Sequence, residues 1–329
     1  MQTTTGKSLL LLSLLTLLCL SAVAVSLSTG SVAYSPAQLW NALISPGADL
    51  QSQVLWELRI PRTAAALTTG ALLGLSGVVM QVLLRNPLAD PYILGVSGGA
   101  SAAALALILS GASAIWIPQA AFLGATFSIL LVFGLATAGG RWSVTRLLLT
   151  GVVVSAGWGA LINLLLTSTS TNTVQSMLFW LMGDLSQSRI AGWQVVVLAV
   201  GLALGVLLAR SLNVLIRGEL AALSLGVDVA RLRTVLYLTA SVLTATAVTI
   251  AGSIGFVGLI IPHMLRLLGA RDHRLLVPLA ALLGGSFLVV ADSLARTLVS
   301  PQQLPTGVVT AIIGVPVFLI ILRSTIKHH

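Results

Sequence analysis

The chain has 329 residues, 57% of them hydrophobic and only 8% charged, with a mean hydropathy of +1.05. About a quarter of a soluble domain's residues are charged, so this composition excludes a water-soluble fold and points to an all-α protein that crosses the bilayer repeatedly. The net charge of +9 then marks inner-facing loops rather than a nucleic-acid surface. The single Cys19 permits no intrachain disulfide or cysteine metal cluster.

The first apolar run covers residues 9–27, after Lys7. Ala22-Val-Ala24 has the form of a signal-peptidase site, but the run is long enough to span, and an uncleaved first span is expected. Gly6-Lys7-Ser8 lacks the preceding glycine, strand and helix of a phosphate-binding loop, so no ATP hydrolysis is expected in this chain. Residues 30–62 read as a polar connection. The second span is 63–84, with Gly70, Gly74 and Gly77 leaving a flat face for close helix packing. Arg85-Asn-Pro-Leu-Ala-Asp-Pro91 ends it. Spans three to five are read at 93–110, 115–138 and 147–166, with a short basic turn from Arg141 to Arg146 before the fifth.

A Ser/Thr-rich connection, 167–189, has an amphipathic middle at 177–182. The sixth span is 192–209. A charged stretch at 217–233 follows, carrying Arg217, Glu219, Asp228, Arg231 and Arg233. Residues 219–225 have helix-forming composition, Gly226 is a natural helix stop, and Asp228 is placed to cap a second short helix. This predicts a compact hairpin on the membrane surface. Spans seven to ten are read at 234–251, 256–268, 275–299 and 307–322. The boundary between the seventh and eighth rests on Gly252-Ser-Ile-Gly255, and a continuous kinked helix there would leave nine spans.

Ten spans with the N-terminus inside leave only Arg59, Arg62, Arg189 and Arg296 of the 17 Lys and Arg residues on the outer side. That asymmetry follows the positive-inside tendency and puts the 217–233 hairpin in the cytosol with both termini. Ion-coupled carriers hold ionisable groups within their spans. Here only Asp292 of the eight acids lies in one, four residues before Arg296, where the two can pair along a helix. A secondary transporter is therefore disfavoured, and the energy for uphill movement is expected to enter through the hairpin. An intramembrane serine protease is the other alternative, because Gly95-Val-Ser97-Gly-Gly99 fits a G-x-S-G pattern and His263 lies on another span. Ser97 is better explained as a small packing residue. His263 and His273 lack ligand-spaced partners, so no metal site is assigned.

Arg59-Ile-Pro-Arg62, Gly70-Ala-Leu-Leu-Gly-Leu-Ser-Gly77, Gln81, Arg85-Asn-Pro-Leu-Ala-Asp-Pro91 and Leu94-Gly-Val-Ser-Gly-Gly-Ala100 form an ordered series. Gly252-Ser-Ile-Gly-Phe-Val-Gly-Leu-Ile-Ile-Pro-His263 and Leu304-Pro-Thr-Gly-Val-Val-Thr310 extend it over nearly the whole chain. The series resembles the FecCD-type permeases of type II ABC importers, which serve iron–siderophore, haem and cobalamin uptake. The resemblance implies a single permease domain over 1–329 with ten transmembrane helices per subunit, set in the bacterial inner membrane. It further implies a homodimer, two cytosolic ABC ATPases that bind ATP and Mg2+, a periplasmic binding protein, and no cofactor on this chain. The cargo expected from the family's breadth is an iron(III)–siderophore, with cobalamin or haem as alternatives.

The same resemblance assigns roles to residues. Gly218, Glu219, Ala222, Leu225 and Gly226 fall in the loop that couples to the ATPase. Arg59, Arg62 and Arg296 match outer-face arginines that dock the binding protein, where a lipid-headgroup contact is the simpler alternative. Ser143, Val144 and Thr145 match a cytosolic gate, with Val144 apolar where some relatives have a hydroxyl. Ser155, Asn163 and Thr167 are the candidate polar lining of a pathway formed by the fifth and tenth spans.

Overall fold

The computed structural model describes residues 2–30, 34–47, 49–138, 143–186 and 188–326. Arg141 of the basic turn, and Lys327, His328 and His329 of the tail, lie outside the described residues. The described chain is helical throughout, without strands: α1 (Gln2–Ser28), α2 (Pro36–Ile44), α3 (Leu50–Val54), α4 (Ile60–Leu83), α5 (Val96–Leu109), α6 (Ile117–Thr137), α7 (Val144–Thr167), α8 (Thr171–Met182), α9 (Gly192–Leu207), α10 (Ala209–Leu215), α11 (Glu219–Ser224), α12 (Val229–Ala251), α13 (Val257–Leu267), α14 (His273–Thr297) and α15 (Thr306–Ile326). A π-helical turn, Leu55–Arg59, joins α3 to α4 without a break.

Each apolar run read from the sequence is helical. Six helical stretches are long and apolar enough to cross a membrane, and α9 with α10, bent by 61°, makes a seventh. Helices α5, α13 and the apolar part of α15 are shorter. The 30–62 connection differs from its reading as a polar loop. Ser35 and Gln38 form a capping box that starts α2, with Pro36 in its first turn. Asp49 accepts from Ser52 N at 2.7 Å and starts α3. The second apolar helix is thereby extended outward to Leu50.

Helix α4 is the centre of the fold. It is buried along nearly all its length and packs on α12, α13 and α14, with α1 and α9 also against it. A Cβ on Gly70 would overlap the Gly284 carbonyl, one on Gly74 the Ala280 carbonyl, and one on Gly77 the Gly258 carbonyl. Gly284 in turn meets the Gly70 carbonyl, so α4 and α14 touch backbone to backbone. Between helices in lipid there is little hydrophobic drive, and such close approach lets dispersion replace it.

The Gly252 break is real. Gly252 adopts φ +67°, and Phe256, unusually for a bulky residue, adopts φ +71°. Around it the C-terminal end of α8 is seated: Asp184 N donates to Ala251 O at 3.0 Å, and Gly307 N to Gly183 O at 3.2 Å. The C-terminal ends of α8 and α12 and the start of α15 are thus joined through main-chain hydrogen bonds.

Candidate functional site

The 217–233 hairpin is built by local rules. Helix α11 stops at a left-handed Gly226 (φ +77°), where Val227 N reaches back to Ala222 O and Gly226 N to Leu223 O, both at 3.0 Å. Asp228 accepts from Arg231 N at 3.0 Å. It starts the 23-residue α12 rather than a separate short helix, since helical bonding runs on without interruption from Leu232 into the apolar run. Glu219, expected as a coupling contact, is turned toward Arg233, with Nη2–Oε2 at 2.7 Å and Nη1–Oε1 at 3.2 Å. This pair straps the start of α11 to α12. Ala222 is fully buried beneath the hairpin, whereas Leu220 is 84% and Leu225 69% exposed, with Leu223 beside them. Gly218 and Gly226 bracket this apolar knob. The spacing of Leu220 and Leu223 was the signal available for its two further residues.

Behind the hairpin, Asn213 of α10 is held at the start of α14. Its Oδ1 accepts from His273 N at 3.0 Å and faces His273 Nδ1 at 2.6 Å, while its Nδ2 donates to Asp272 at 2.8 Å. Asp272 also caps α14 through Arg274 N at 3.0 Å. Hydrogen bonds from Arg274 and Asn213 hold the Asp272 carboxyl below its usual range although burial opposes them more strongly than any one of them. Arg266 donates to Gln81 Oε1, and Gln81 Nε2 to Leu259 O at 3.1 Å, tying the C-terminal end of α4 to α13. Sequence reasoning assigned nothing to Asn213, His273 or Arg266.

At the opposite end the expected surface arginines are not on the surface. Asp292 is 0% exposed. It accepts from Arg62 Nε at 3.0 and 3.1 Å, from Arg62 Nη2 at 2.8 Å and from Thr306 Oγ1 at 3.1 Å, and it pairs with Arg296 Nε at 3.1 Å. The i, i+4 pair expected between Asp292 and Arg296 is present, but Arg62 is the stronger partner. Arg62 Nη1 also donates to Gln303 at 2.7 Å, and Arg296 Nη2 to Ser26 Oγ at 2.8 Å. Arg59 stacks over the Tyr34 ring at 4.2 Å and donates to Leu27 O at 2.8 Å. The three arginines therefore join α1, α4, α14 and the start of α15 instead of projecting outward. Arg62 and Arg296 are buried because their heads share the Asp292 carboxylate, whereas Arg59 is held by an aromatic face and a main-chain carbonyl.

Ser143 caps α7, with Val144 and Thr145 in its first turn, Thr145 exposed. One face of α7 is bare along its length, from Leu149 through Val152, Ala156 and Ala160 to Leu164. Asn163 and Thr167 lie on this exposed side. Ser155 does not: it is half-buried and points at Gly95, where an added Cβ would meet its Oγ at 3.2 Å. Ser97 Oγ pairs with Ser253 Oγ at 2.9 Å, across the α5 and α12–α13 junction, and not with a histidine. Asp90 caps the 3₁₀ turn Pro91–Leu94 through Tyr92 N at 2.8 Å, and burial pushes its carboxyl up to about 6. Among the described residues no three His, Cys, Asp or Glu side chains gather as metal ligands.

The profile of the FecCD transport family matches residues 15–324. The cobalamin import system permease of Halobacterium salinarum is 44% identical over 277 residues, covering 82% of this chain and 73% of that protein. The hemin transport system permease of Yersinia pestis is 36% identical over 329 residues, covering 95% and 94%. A solved structure described as a metal-chelate type ABC transporter in an inward-facing conformation superposes with a TM-score of 0.84 at 34% identity, covering 96% of this chain and 99% of that one. With a family match over nearly the whole length, and relatives that are themselves permease proteins, this multi-pass membrane chain belongs to the FecCD transport family.

Proposed function

We propose that the chain is the membrane-spanning subunit of an ATP-driven importer, acting as a homodimer whose residues 1–329 form one permease unit. We read ten spans per subunit by adding the shorter α5, α13 and α15 to the six long helices and the bent α9–α10 pair. Both termini then lie on the inner side, as does the α11 hairpin. The bare stripe on α7, with Asn163 and Thr167 on it, is the face we assign to the partner subunit and the pathway, beside the gate turn at Ser143, Val144 and Thr145.

The observation that carries the reading is the exposed apolar knob of Leu220, Leu223 and Leu225. Three large apolar side chains exposed at a loop tip, braced by the Glu219–Arg233 pair and a glycine stop, suit insertion into a groove of a cytosolic ATPase. Arg59, Arg62 and Arg296 keep a part in binding-protein docking as a buried positive cluster that shapes the outer surface. The cargo class is a metal chelate. The names of the cobalamin and hemin relatives favour a tetrapyrrole-type complex over the iron–siderophore that family breadth alone suggested.

The test is reconstitution in liposomes with an ATPase and a binding protein from the same genome. Leu220→Ser/Leu225→Ser should abolish binding-protein-stimulated ATPase activity and uptake of cobalamin or haem while leaving thermal stability unchanged. Uptake that follows an ion gradient without any ATPase would overturn the reading.

A further inference from the structure

A cavity of about 730 Å3 opens at one end of the bundle, between the end of α5, the start of α6, α8, the residues Asp184, Ser186, Ser188 and Arg189, and the end of α12. None of its lining comes from α7 or α15, so it is separate from the proposed pathway face. Its volume lies in the range of small-ligand sites, roughly 300–1,000 Å3. One wall is apolar, with Ile117, Phe179 and Ile250. The other carries two opposite charges, Asp184 and Arg189, which form no ion pair with each other within 4.0 Å among the described residues. Asp184 is turned to Ser186, whose main-chain N donates at 2.9 Å and whose hydroxyl also donates. This leaves further acceptor positions on the carboxylate. Arg189 is exposed and lines the cavity.

The surroundings place this cavity at the level of the membrane–water boundary. Trp116 and Trp193, at the starts of α6 and α9, are exposed next to it, and Trp193 meets Phe122 edge-on at 5.5 Å. Tryptophans exposed at helix ends are the mark of the interfacial layer. A ligand there must match an anion-binding Arg, a cation-binding Asp and an apolar wall within one small volume. We infer that the cavity binds the headgroup of a zwitterionic aminophospholipid, with the phosphate on Arg189, the ammonium on Asp184, and the upper acyl chain along Ile117, Phe179 and Ile250. A singly anionic lipid satisfies Arg189 and leaves Asp184 facing a neutral group, so charge complementarity selects the zwitterion. Because the cavity abuts Thr249–Gly252, where α8 joins α12 and α15, an occupied site would brace that junction.

Native mass spectrometry of the delipidated full-length protein tests this, titrated separately with phosphatidylethanolamine, phosphatidylglycerol and water-soluble glycerophosphoethanolamine. One saturable phosphatidylethanolamine per protomer is expected, held about tenfold more tightly than phosphatidylglycerol. Arg189→Gln should weaken both lipids by about tenfold, Asp184→Asn only phosphatidylethanolamine. Because Asp184 also orders its own loop, Ile117→Trp serves as a second variant: it fills the apolar wall without touching either charge, and should reduce lipid retention while leaving the melting temperature of the delipidated protein in place. Equal binding of the two lipids, unaltered retention in all three variants, or tight binding of the soluble headgroup alone each overturns the assignment; the last would make this a small-molecule site.

Discussion

Removing the carboxylate of Asp292 is the sharpest test of how the arginine-bearing end of this molecule is held. In Asp292→Ala, Arg62 keeps Gln303, Arg296 keeps Ser26, Ser293 Oγ and the main-chain carbonyl of residue 292, and two buried cations face one another without their shared counter-ion. At an effective dielectric of about 20, an ion pair at 4 Å is worth about 4 kcal/mol. Measured losses from deleting one partner of a buried pair run to about 3–5 kcal/mol. With two arginines on one fully buried carboxylate, the upper part of that range applies. At roughly 2–4 °C per kcal/mol in chains of a few hundred residues, the apparent melting temperature should fall by about 10 °C or more. The assay is scanning fluorimetry in detergent at one fixed heating rate, because membrane proteins of this kind unfold irreversibly. Replacing all three groups, Arg62→Leu/Asp292→Leu/Arg296→Leu, should recover much of the loss, since an apolar trio of similar volume carries no desolvation penalty. An Asp292→Ala protein that melts within about 1 °C of wild type would refute the reasoning: the carboxylate would then be hydrated in a way its complete burial does not allow.

The Glu219–Arg233 pair provides the contrast. Its glutamate is 41% exposed, so solvent screens the interaction, and Glu219→Gln should cost less than about 1 kcal/mol, visible as a shift of no more than a few degrees. A loss as large as that of Asp292→Ala would show that the hairpin is strapped more strongly than a surface pair can manage. Gly70→Ala should be severe for its size: the new methyl would overlap the Gly284 carbonyl, α4 and α14 must separate, and about 1–3 kcal/mol or more is lost. Full folded yield and an unchanged melting temperature would mean the two helices do not touch through these glycines. For Asp90 the sign follows from burial, which raises its carboxyl from 3.8 to about 6. The folded state holds a proton that the unfolded chain releases, so this group's contribution is fully present below 3.8 and is lost as pH rises through about 6. Asp90→Asn keeps the acceptor for Tyr92 N, should flatten that slope in a melting series from about pH 4 to 7, and should stabilise the protein at the neutral end. An unaltered slope would place the origin of the pH dependence elsewhere.

Much of the architecture was legible along the chain because a bilayer imposes a one-dimensional rule. Every backbone polar group must be satisfied within its own helix, so apolar run length located the helices, and loop charge suggested their orientation. Gly226 and Asp228 acted locally, through a left-handed stop and a side-chain cap, and their positions followed from residue type alone. The Gly70, Gly74 and Gly77 face could be recognised as suited to close packing, but its partners on α13 and α14 lie some 180–210 residues downstream and no local pattern names them. The same limit explains the arginines. Asp292 could be paired with Arg296 because they share a helix, whereas Arg62 reaches it across 230 residues and outcompetes the local partner. Residues on the surface in a linear reading became the buried fastening of four helices, Ser155 turned from a channel face to Gly95, and Asn213 emerged as the latch behind the hairpin. Sequence by itself determined which apolar segments are helices, because that is a local satisfaction of hydrogen bonds. The tertiary structure alone decided which charges meet, because ion pairing in a buried site depends on which distant helices share a wall.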